Sequence, residues 1–393
     1  MKRVVFSIAS YKKLAQARVL LDSVKVQHND IKTFLVIAER RSQTLQNYGH
    51  DILDLEQLQV PMRLAFQYDS EEFQEALKPW ALEYFLKDYE SVVYFDPEVE
   101  IFSSLTDIFS WVQDYEAVVA PAVTAPLPYD GLLPDNGTVL RAGLFHSGFF
   151  AARSSYSLRV FIQYWKEEVV CGLAGADFEE KWMQGQLIFS GITSFVDSVK
   201  IVHLDSFHFS IWNASQRELS YTGNTFVTSH GPLVSMHFQG QEDLQDFFLP
   251  RGAFVRPFKS GGAMSRILRL HQEKVVRVEK MLQPYSTQYS FGFYANGGYV
   301  CRKDRRVFFH MSSFEKRNIK DPFQAPDEMR KRVMTLSMPR IFSSYHELQA
   351  IKRGPSWRIG RLMTCPIRVG KNILLRLFPG MWRAKKPSRG ELC

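Results

Sequence analysis

The chain has 393 residues, 45% of them hydrophobic and 14% aromatic, enough to bury a large core. It contains no run of about 18 uncharged apolar residues that would cross a membrane. Its formal net charge is +8, yet residues 351–393 alone hold seven Arg and four Lys against one Glu, a net of +10, so the first 350 residues sum to −2. The basicity therefore belongs to a tail, and a nucleic-acid-binding body is disfavoured.

The apolar stretch Val4 to Ala9 is six residues long and includes Ser7, too short for the apolar core of a signal peptide. Val4 to Ile8 reads instead as a first strand, and Leu14 to Val24 carries apolar residues at helical spacing. Thr33 to Arg40 gives a second strand and Ile52 to Leu55 a third. A helix is expected over Ser70 to Leu86, and then Val92, Val93, Tyr94 and Phe95 form a β-branched and aromatic run suited to a strand buried on both faces. Ala117 to Ala120 continues the series, and LFHSGFFAARSS at 144–155 contains a further strand that leads into the helix SLRVFIQYWKEEVV. Strands alternating with helices at this spacing imply a mostly parallel sheet with helices on both faces. After Thr225 the rhythm fades. An amphipathic charged helix follows over Ser265 to Leu282, then a hairpin within YSFGFYANGGYV, and the basic tail. There is no internal repeat or low-complexity segment. The four cysteines, Cys171, Cys301, Cys365 and Cys393, are scattered without a CxxC pair, which points to a reducing cytoplasm.

The Val92 strand does not end in an ordinary turn. Asp96, Pro97 and Glu98 follow at once, and Val99 to Phe102 resume an alternating pattern, so the acids stand where a buried strand surfaces, a common place for chemistry in α/β proteins. Two carboxylates at i and i+2 suit a hard divalent cation such as Mn²⁺ or Mg²⁺, although acidic pairs at strand ends are equally often solvated turn residues. Far along the chain, PLVSMHFQGQ puts His237 after a short apolar run and before Gly240, where the backbone can approach a phosphate closely. Taken alone, His237 reads as a structural histidine. Joined to the acids, it completes a plausible Mn²⁺ set.

These blocks resemble a known family. FDPEVEIFSSLTDIF is similar to the D-x-D region of GT-A glycosyltransferases, SIASYKKLAQARVLLDSV to their opening strand and helix, and YDSEEFQEALKPWAL to the helix that carries an acid and a lysine before the D-x-D. FHSGFFAARSS resembles the Asn-x-Gly block, FHFSIWNASQREL a Tyr-Trp-Asn-x-x-x-Arg block of bacterial relatives, and HFQG the His-Phe-x-Gly metal motif of glycosyltransferase family 8 and its relatives. The resemblance spans roughly residues 1 to 310. It implies a Rossmann-like GT-A catalytic domain over residues 1–245, a helical and hairpin extension over 246–345 and a basic amphipathic tail over 346–393. It also implies transfer of a sugar from a nucleotide diphosphate, UDP above all, to a glycan or glycolipid acceptor, with retention of anomeric configuration.

By the same resemblance Asp96, Glu98 and His237 would hold the metal. Ser7, Ala9, Tyr11, Lys78, Asp96, His146, Gly148, Asn213 and Gly240 would line the donor site, and Glu179 and Glu180 would be the catalytic acids on the acceptor side. The chain departs from the pattern in four places. Glu98 replaces the usual second Asp, His146 stands where Asn is frequent, EEKW at 179–182 replaces Asp-Gln-Lys-Trp, and QGQEDLQDFF lacks the lysine that follows His-x-x-Gly.

A sugar nucleotidyltransferase would want a glycine-rich loop after the first strand, and SIASYKKLAQAR has no glycine. A phosphatase with an Asp nucleophile would want a second Asp and a Thr, which DPEVE lacks. A non-catalytic glycan-binding or membrane scaffold on a degenerate GT-A fold remains the alternative. Trp212, Asn213 and Arg217 face either the substrates or the core. Phe149, Phe150, Trp165 and Trp182 read as packing residues, and KDRR at 303–306 as a solvated hairpin. In the tail, Trp357, Ile359, Leu362, Ile373, Leu377 and Phe378 alternate with Arg and Lys, which suits either a helix lying on an anionic inner-membrane surface, broken at Pro366, or a disordered basic tail.

Overall fold

The Val92 run does become a strand buried on both faces, and its place in the sheet decides where the acids emerge. The computed structural model describes residues 2–40, 45, 48–171, 184–238, 261–282 and 288–332. Glu179, Glu180, Trp182, Gly240 and the tail from 346 lie outside the described residues. The chain divides into a unit of residues 1–330 and a second of 331–393, and nearly all described residues belong to the first.

In chain order the elements begin with β1 (Arg3–Ala9), α1 (Leu14–Gln27), β2 (Lys32–Ile37), β3 (Asp51–Leu53), α2 (Met62–Gln67), α3 (Ser70–Phe85), β4 (Ser91–Phe95) and β5 (Val99–Ile101). Next come α4 (Thr106–Asp114), β6 (Ala117–Val119), α5 (Asn136–Ala142), β7 (Phe149–Ala152), α6 (Tyr156–Cys171), α7 (Gln184–Phe195) and β8 (Val199–Ile201). After these follow β9 (Phe209–Ser210), a small antiparallel meander of β10 (Ser220–Thr222), β11 (Thr225–Thr228) and β12 (Gly231–Pro232), then β13 (Ser235–His237). The helices α8 (Gly261–Met281), α9 (Arg302–His310) and α10 (Ser313–Asn318) complete the described part.

The main sheet has seven strands in the order β3-β2-β1-β4-β7-β6-β8. All run one way except β7, which is antiparallel to both β4 and β6. The chain builds outward from β1 through β2 and β3, then returns to set β4 on the other side of β1. The topological switch point therefore lies between β1 and β4, and the crevice beyond their carboxyl ends is where open α/β sheets place their ligands. Phe6 pairs with Tyr94, so the two strands leave the sheet side by side.

Both sheet faces are covered, and the alternation of a strand assigns each residue to one. Val4, Phe6, Val92, Tyr94 and Phe150 pack with α3 and α6 through Phe73, Leu77, Phe161 and Trp165. Val5, Val93, Phe95 and Phe149 pack with α1 and α4 through Leu20, Val24, Ile108 and Phe109. Phe149, Phe150 and Trp165 are thus core residues.

A second, three-stranded sheet, β5-β13-β9, stands beyond the end of β4. The helix α8 buttresses it: the buried Glu100 carboxylate of β5 accepts from His271 Nδ1 at 2.7 Å and pairs with Lys274, while the His271 ring stacks on Phe238 at 3.7 Å. Glu100, two residues beyond Glu98, therefore serves packing.

One expectation fails. KDRR is no solvated hairpin. It lies in α9 with Asp304, Arg305 and Arg306 buried. Arg305 donates to the carbonyls of Ala65, Phe66 and Tyr68, groups left unpaired at the end of α2, and Arg306 pairs with Glu72. The segment YSFGFYANGGYV does form a short hairpin, with an antiparallel bridge from Phe293 to Tyr299 and Val300 N–H donating to the Gly292 carbonyl at 2.9 Å.

Candidate active site

Asp96 is two residues beyond Tyr94, so its side chain points to the same sheet face, the face covered by α3. There it meets Lys78, whose ammonium lies 3.2 Å from Asp96 Oδ1, 2.7 Å from Glu75 and 2.9 Å from the Ser147 carbonyl. The Tyr94 hydroxyl donates to the same Oδ1. The helix that delivers Lys78 is fixed at its start by a reciprocal cap, in which Asp69 accepts from the Glu71 and Glu72 amides and Glu72 accepts from the Asp69 amide. Pro79 inside it withholds the N–H that would bond the Glu75 carbonyl.

The second oxygen of Asp96 faces the other way. Oδ2 lies 3.6 Å from His237 Nε2, a fully buried nitrogen with no hydrogen-bond partner. His237 reaches this point because β13 pairs with β5 in a register that sets His237 against Val99, and Phe238 N–H donates to the Glu98 carbonyl at 2.8 Å. Residues 141 positions apart in the chain thus meet at the end of β4. On the far side of the ring, His237 Nδ1 is 3.3 Å from His146 Nε2, and Gly148 N–H donates to His146 Nδ1 at 3.2 Å.

Gly148 eases this crowding. A Cβ there would stand 3.0 Å from Asp96 Oδ2 and 3.2 Å from His146 Nδ1. The Gly148 carbonyl also accepts from the Asp96 amide at 2.9 Å, which ties β7 to the acid.

Electrostatics follow from burial and from these partners. Burial alone would neutralise Asp96, but Lys78, His237 and the Tyr94 hydroxyl hold its carboxyl below the usual carboxylate range. Glu75, desolvated and beside Asp96, is pushed up to about 7 despite Lys78. Burial overcomes the nearby acids at His237 and lowers its pKa; His146 and His208 go well below the ordinary value for the same reason, aided by one another's charge.

The remaining predicted residues fall into place as follows. Ser7, Ala9 and Tyr11 stand at the carboxyl end of β1 beside β4; Ser7 Oγ is buried without a partner, and the Tyr11 hydroxyl donates to the Arg40 carbonyl at 3.3 Å. Glu98 does not turn toward His237. Its carboxylate pairs with Lys13 at 2.5 Å, a cation from the turn after β1 that sequence reasoning missed. Asn213 is fully buried, and its amide holds the turn after β9, accepting from Ser210 N–H at 3.0 Å. Arg217 is buried too, with its pKa lowered by burial to about 10, and it donates to the Phe207 carbonyl at 2.8 Å, while Trp212 is half-buried. Asn213 and Arg217 together brace the segment that carries His208. Sequence reasoning also passed over Glu75, Tyr94 and His208, for which no local spacing gives a signal. A surface depression lined by Leu86, Asp88, Glu90, Gln113 and Arg153 lies at the opposite end of β4 and contains none of this chemistry.

The donor set suits a divalent cation. Asp96 Oδ2 and the orphaned His237 Nε2 face each other across a gap compatible with two ligands of one ion, and an unsatisfied buried nitrogen otherwise costs about 1–3 kcal/mol. The Lys13 pairing of Glu98 runs through Oε1.

No family of known proteins matches the sequence, and no curated protein matches it either. Among solved structures, the chain is similar to the galactosyltransferase LgtC in complex with donor and acceptor sugar analogues, at 16% identity and TM-score 0.39 over 72% of this chain and 98% of that one. It is also similar to the glycosyltransferase GlyE of Streptococcus pneumoniae, at 13% identity and TM-score 0.39 over 75% of this chain and 67% of that one. A third is mouse xyloside xylosyltransferase 1, at 12% identity and TM-score 0.36 over 61% and 98%. At such scores the functional reading stands on the site's own residues.

Proposed function

We propose that the protein is a metal-dependent glycosyltransferase of the GT-A type, moving a sugar from a nucleotide diphosphate, UDP by preference, to a glycan or glycolipid acceptor in bacterial surface polysaccharide assembly. One observation carries this reading. Asp96 and His237, distant in sequence, face each other at the carboxyl end of β4 beside the end of β1, with Asp96 held ionised by Lys78.

Mn²⁺ or Mg²⁺ held by Asp96 and His237, with Glu98 as a further candidate, would supply positive charge against the departing diphosphate, where charge accumulates as the glycosidic bond breaks. The chain's own residues do the positioning. Lys78 and Tyr94 fix one oxygen of Asp96 and leave the other for the site. Gly148 clears space beside it, and Ser7, Ala9 and Tyr11, buried at and just beyond the carboxyl end of β1, are the residues proposed for the nucleoside side. Transfer with retention follows from the family 8 resemblance, and Glu179 and Glu180 remain the proposed acceptor-side acids.

Incubating the protein with a panel of nucleotide sugars and Mn²⁺ tests this reading. A single donor slowly hydrolysed by wild type and not by Asp96→Ala supports it. The Glu98–Lys13 ion pair favours the second reading, a non-catalytic scaffold, which predicts donor binding without turnover. We place the protein in the cytoplasm, with the basic tail docked on the inner-membrane surface. Vesicle flotation unaffected by deleting residues 351–393 would refute the docking.

A further inference from the structure

Behind Asp96 three buried imidazoles converge. His146 is 7% exposed, His208 0% and His237 1%. One ring nitrogen from each lies within 4.8 Å of the other two, the one such group of His, Cys, Asp or Glu among the described residues. The His146 ring sits 4.4 Å from that of His208 at 78° and 4.7 Å from that of His237 at 85°, while the His208 and His237 rings lie 5.6 Å apart at 17°.

His208 is the least explained of the three. Both its ring nitrogens are buried without a partner, as is His237 Nε2. Its backbone is left-handed, with φ at 51°, a conformation that a non-glycine residue adopts under strain and that recurs at ligand clamps. It is nonetheless firmly held. Its amide donates to Ser235 Oγ at 2.9 Å, and Arg217 ties down the preceding carbonyl. A strained, rigidly presented imidazole whose ring nitrogens have no hydrogen-bond partner is what a ligand-binding nitrogen requires and what a packing residue does not.

We infer that His146, His208 and His237 form a nitrogen-rich cation centre that takes a borderline transition metal such as Zn²⁺ or Co²⁺ in preference to Mg²⁺. Imidazole donors suit such ions, whereas Mg²⁺ demands oxygen and water. The inference deepens the proposed function and rests on it only through His237, which both share; it needs no nucleotide. Coordination through His146 Nε2 places that ring's proton on Nδ1, which lengthens the 3.2 Å contact from the Gly148 N–H.

The test titrates the full chain with Co²⁺ alone and follows its visible absorption. The expected result is one equivalent bound with the intense bands of a four-coordinate ion, displaced by Zn²⁺ but not by excess Mg²⁺. His208→Asn and His208→Gln should each weaken Co²⁺ by roughly 10–100-fold or more, the size of loss seen even for outer-shell partners. Circular dichroism and melting without metal confirm that the variants fold, and His146→Asn repeats the test at a second ligand. Wild-type affinity in all three folded variants overturns the inference, as does failure of the native chain to bind Co²⁺ or Zn²⁺. Nucleotide-sugar binding in Mn²⁺, measured separately, then decides whether the glycosyltransferase reading survives without it.

Discussion

Lys78→Met is the most informative single substitution, because it removes the charge that keeps Asp96 ionised while nearly preserving volume. The Lys78 ammonium is 1% exposed and serves Asp96 at 3.2 Å, Glu75 at 2.7 Å and the Ser147 carbonyl at 2.9 Å. Taking one partner from a buried ion pair costs about 3–5 kcal/mol, because the remaining charge is left uncompensated. Unfolding entropy of about 2.1 cal/mol/K per residue over a unit of 330 residues gives roughly 0.7 kcal/mol/K, so the melting temperature should fall by about 4–7 °C at pH 7.5. The deficit should shrink as pH is lowered toward 5, since protonating Glu75 or Asp96 relieves the repulsion that Lys78 otherwise cancels. Differential scanning calorimetry across pH reads both effects. A loss below about 1 °C that does not vary with pH would refute the role given to Lys78 as the counter-charge of Asp96.

Other outcomes follow from the same geometry. Gly148→Ala should lower Mn²⁺ affinity, read by electron paramagnetic resonance, at a modest stability cost of about 1–3 kcal/mol, because the new Cβ displaces Asp96 Oδ2; unchanged affinity would contradict the crowding. Glu75 has a folded pKa of about 7, above its ordinary value of 4.5, so its contribution to stability is complete below about 4.5 and lost as pH rises through 7. The melting temperature of wild type relative to Glu75→Gln should therefore decline from pH 5 to pH 8. Glu100 behaves oppositely: burial raises its pKa, but His271 and Lys274 outweigh this and hold it low, so its contribution is present above the ordinary carboxylate pKa and disappears in acid. Glu100→Ala should destabilise by about 3–5 kcal/mol in urea titrations at neutral pH and by much less at pH 3.

The sequence was most readable where local composition and tertiary role agree. Val92 to Phe95 could hardly be anything but a doubly buried strand, and Asp96 stands at its end for that reason. The first strand and helix, and the long helix now seen as α8, emerged from periodicity alone. The reversed direction of β7 left no trace, because strand polarity is set by the path between Val119 and Phe149 and not by the residues of the strand. KDRR misled because a run of charges is normally solvated, whereas here Arg305 satisfies carbonyls more than 230 positions away. Within the site, Asp96 and His237 were legible as residue types suited to a cation. The turn of Glu98 toward Lys13 and the convergence of His208 with His146 depend on side-chain directions that no spacing encodes. Lys78 entered through resemblance alone, and its burial behind Asp96 gives it a positioning role, orienting the acid from within the protein.

The measurement closest to the central claim is calorimetric binding of UDP to wild type and to Asp96→Asn, each with and without Mn²⁺. The account predicts that Mn²⁺ strengthens binding to wild type by tenfold or more, about 1.4 kcal/mol, and leaves the variant unchanged. Equal UDP affinity in all four conditions, or no binding in any, would contradict it and leave Asp96 a buried structural acid.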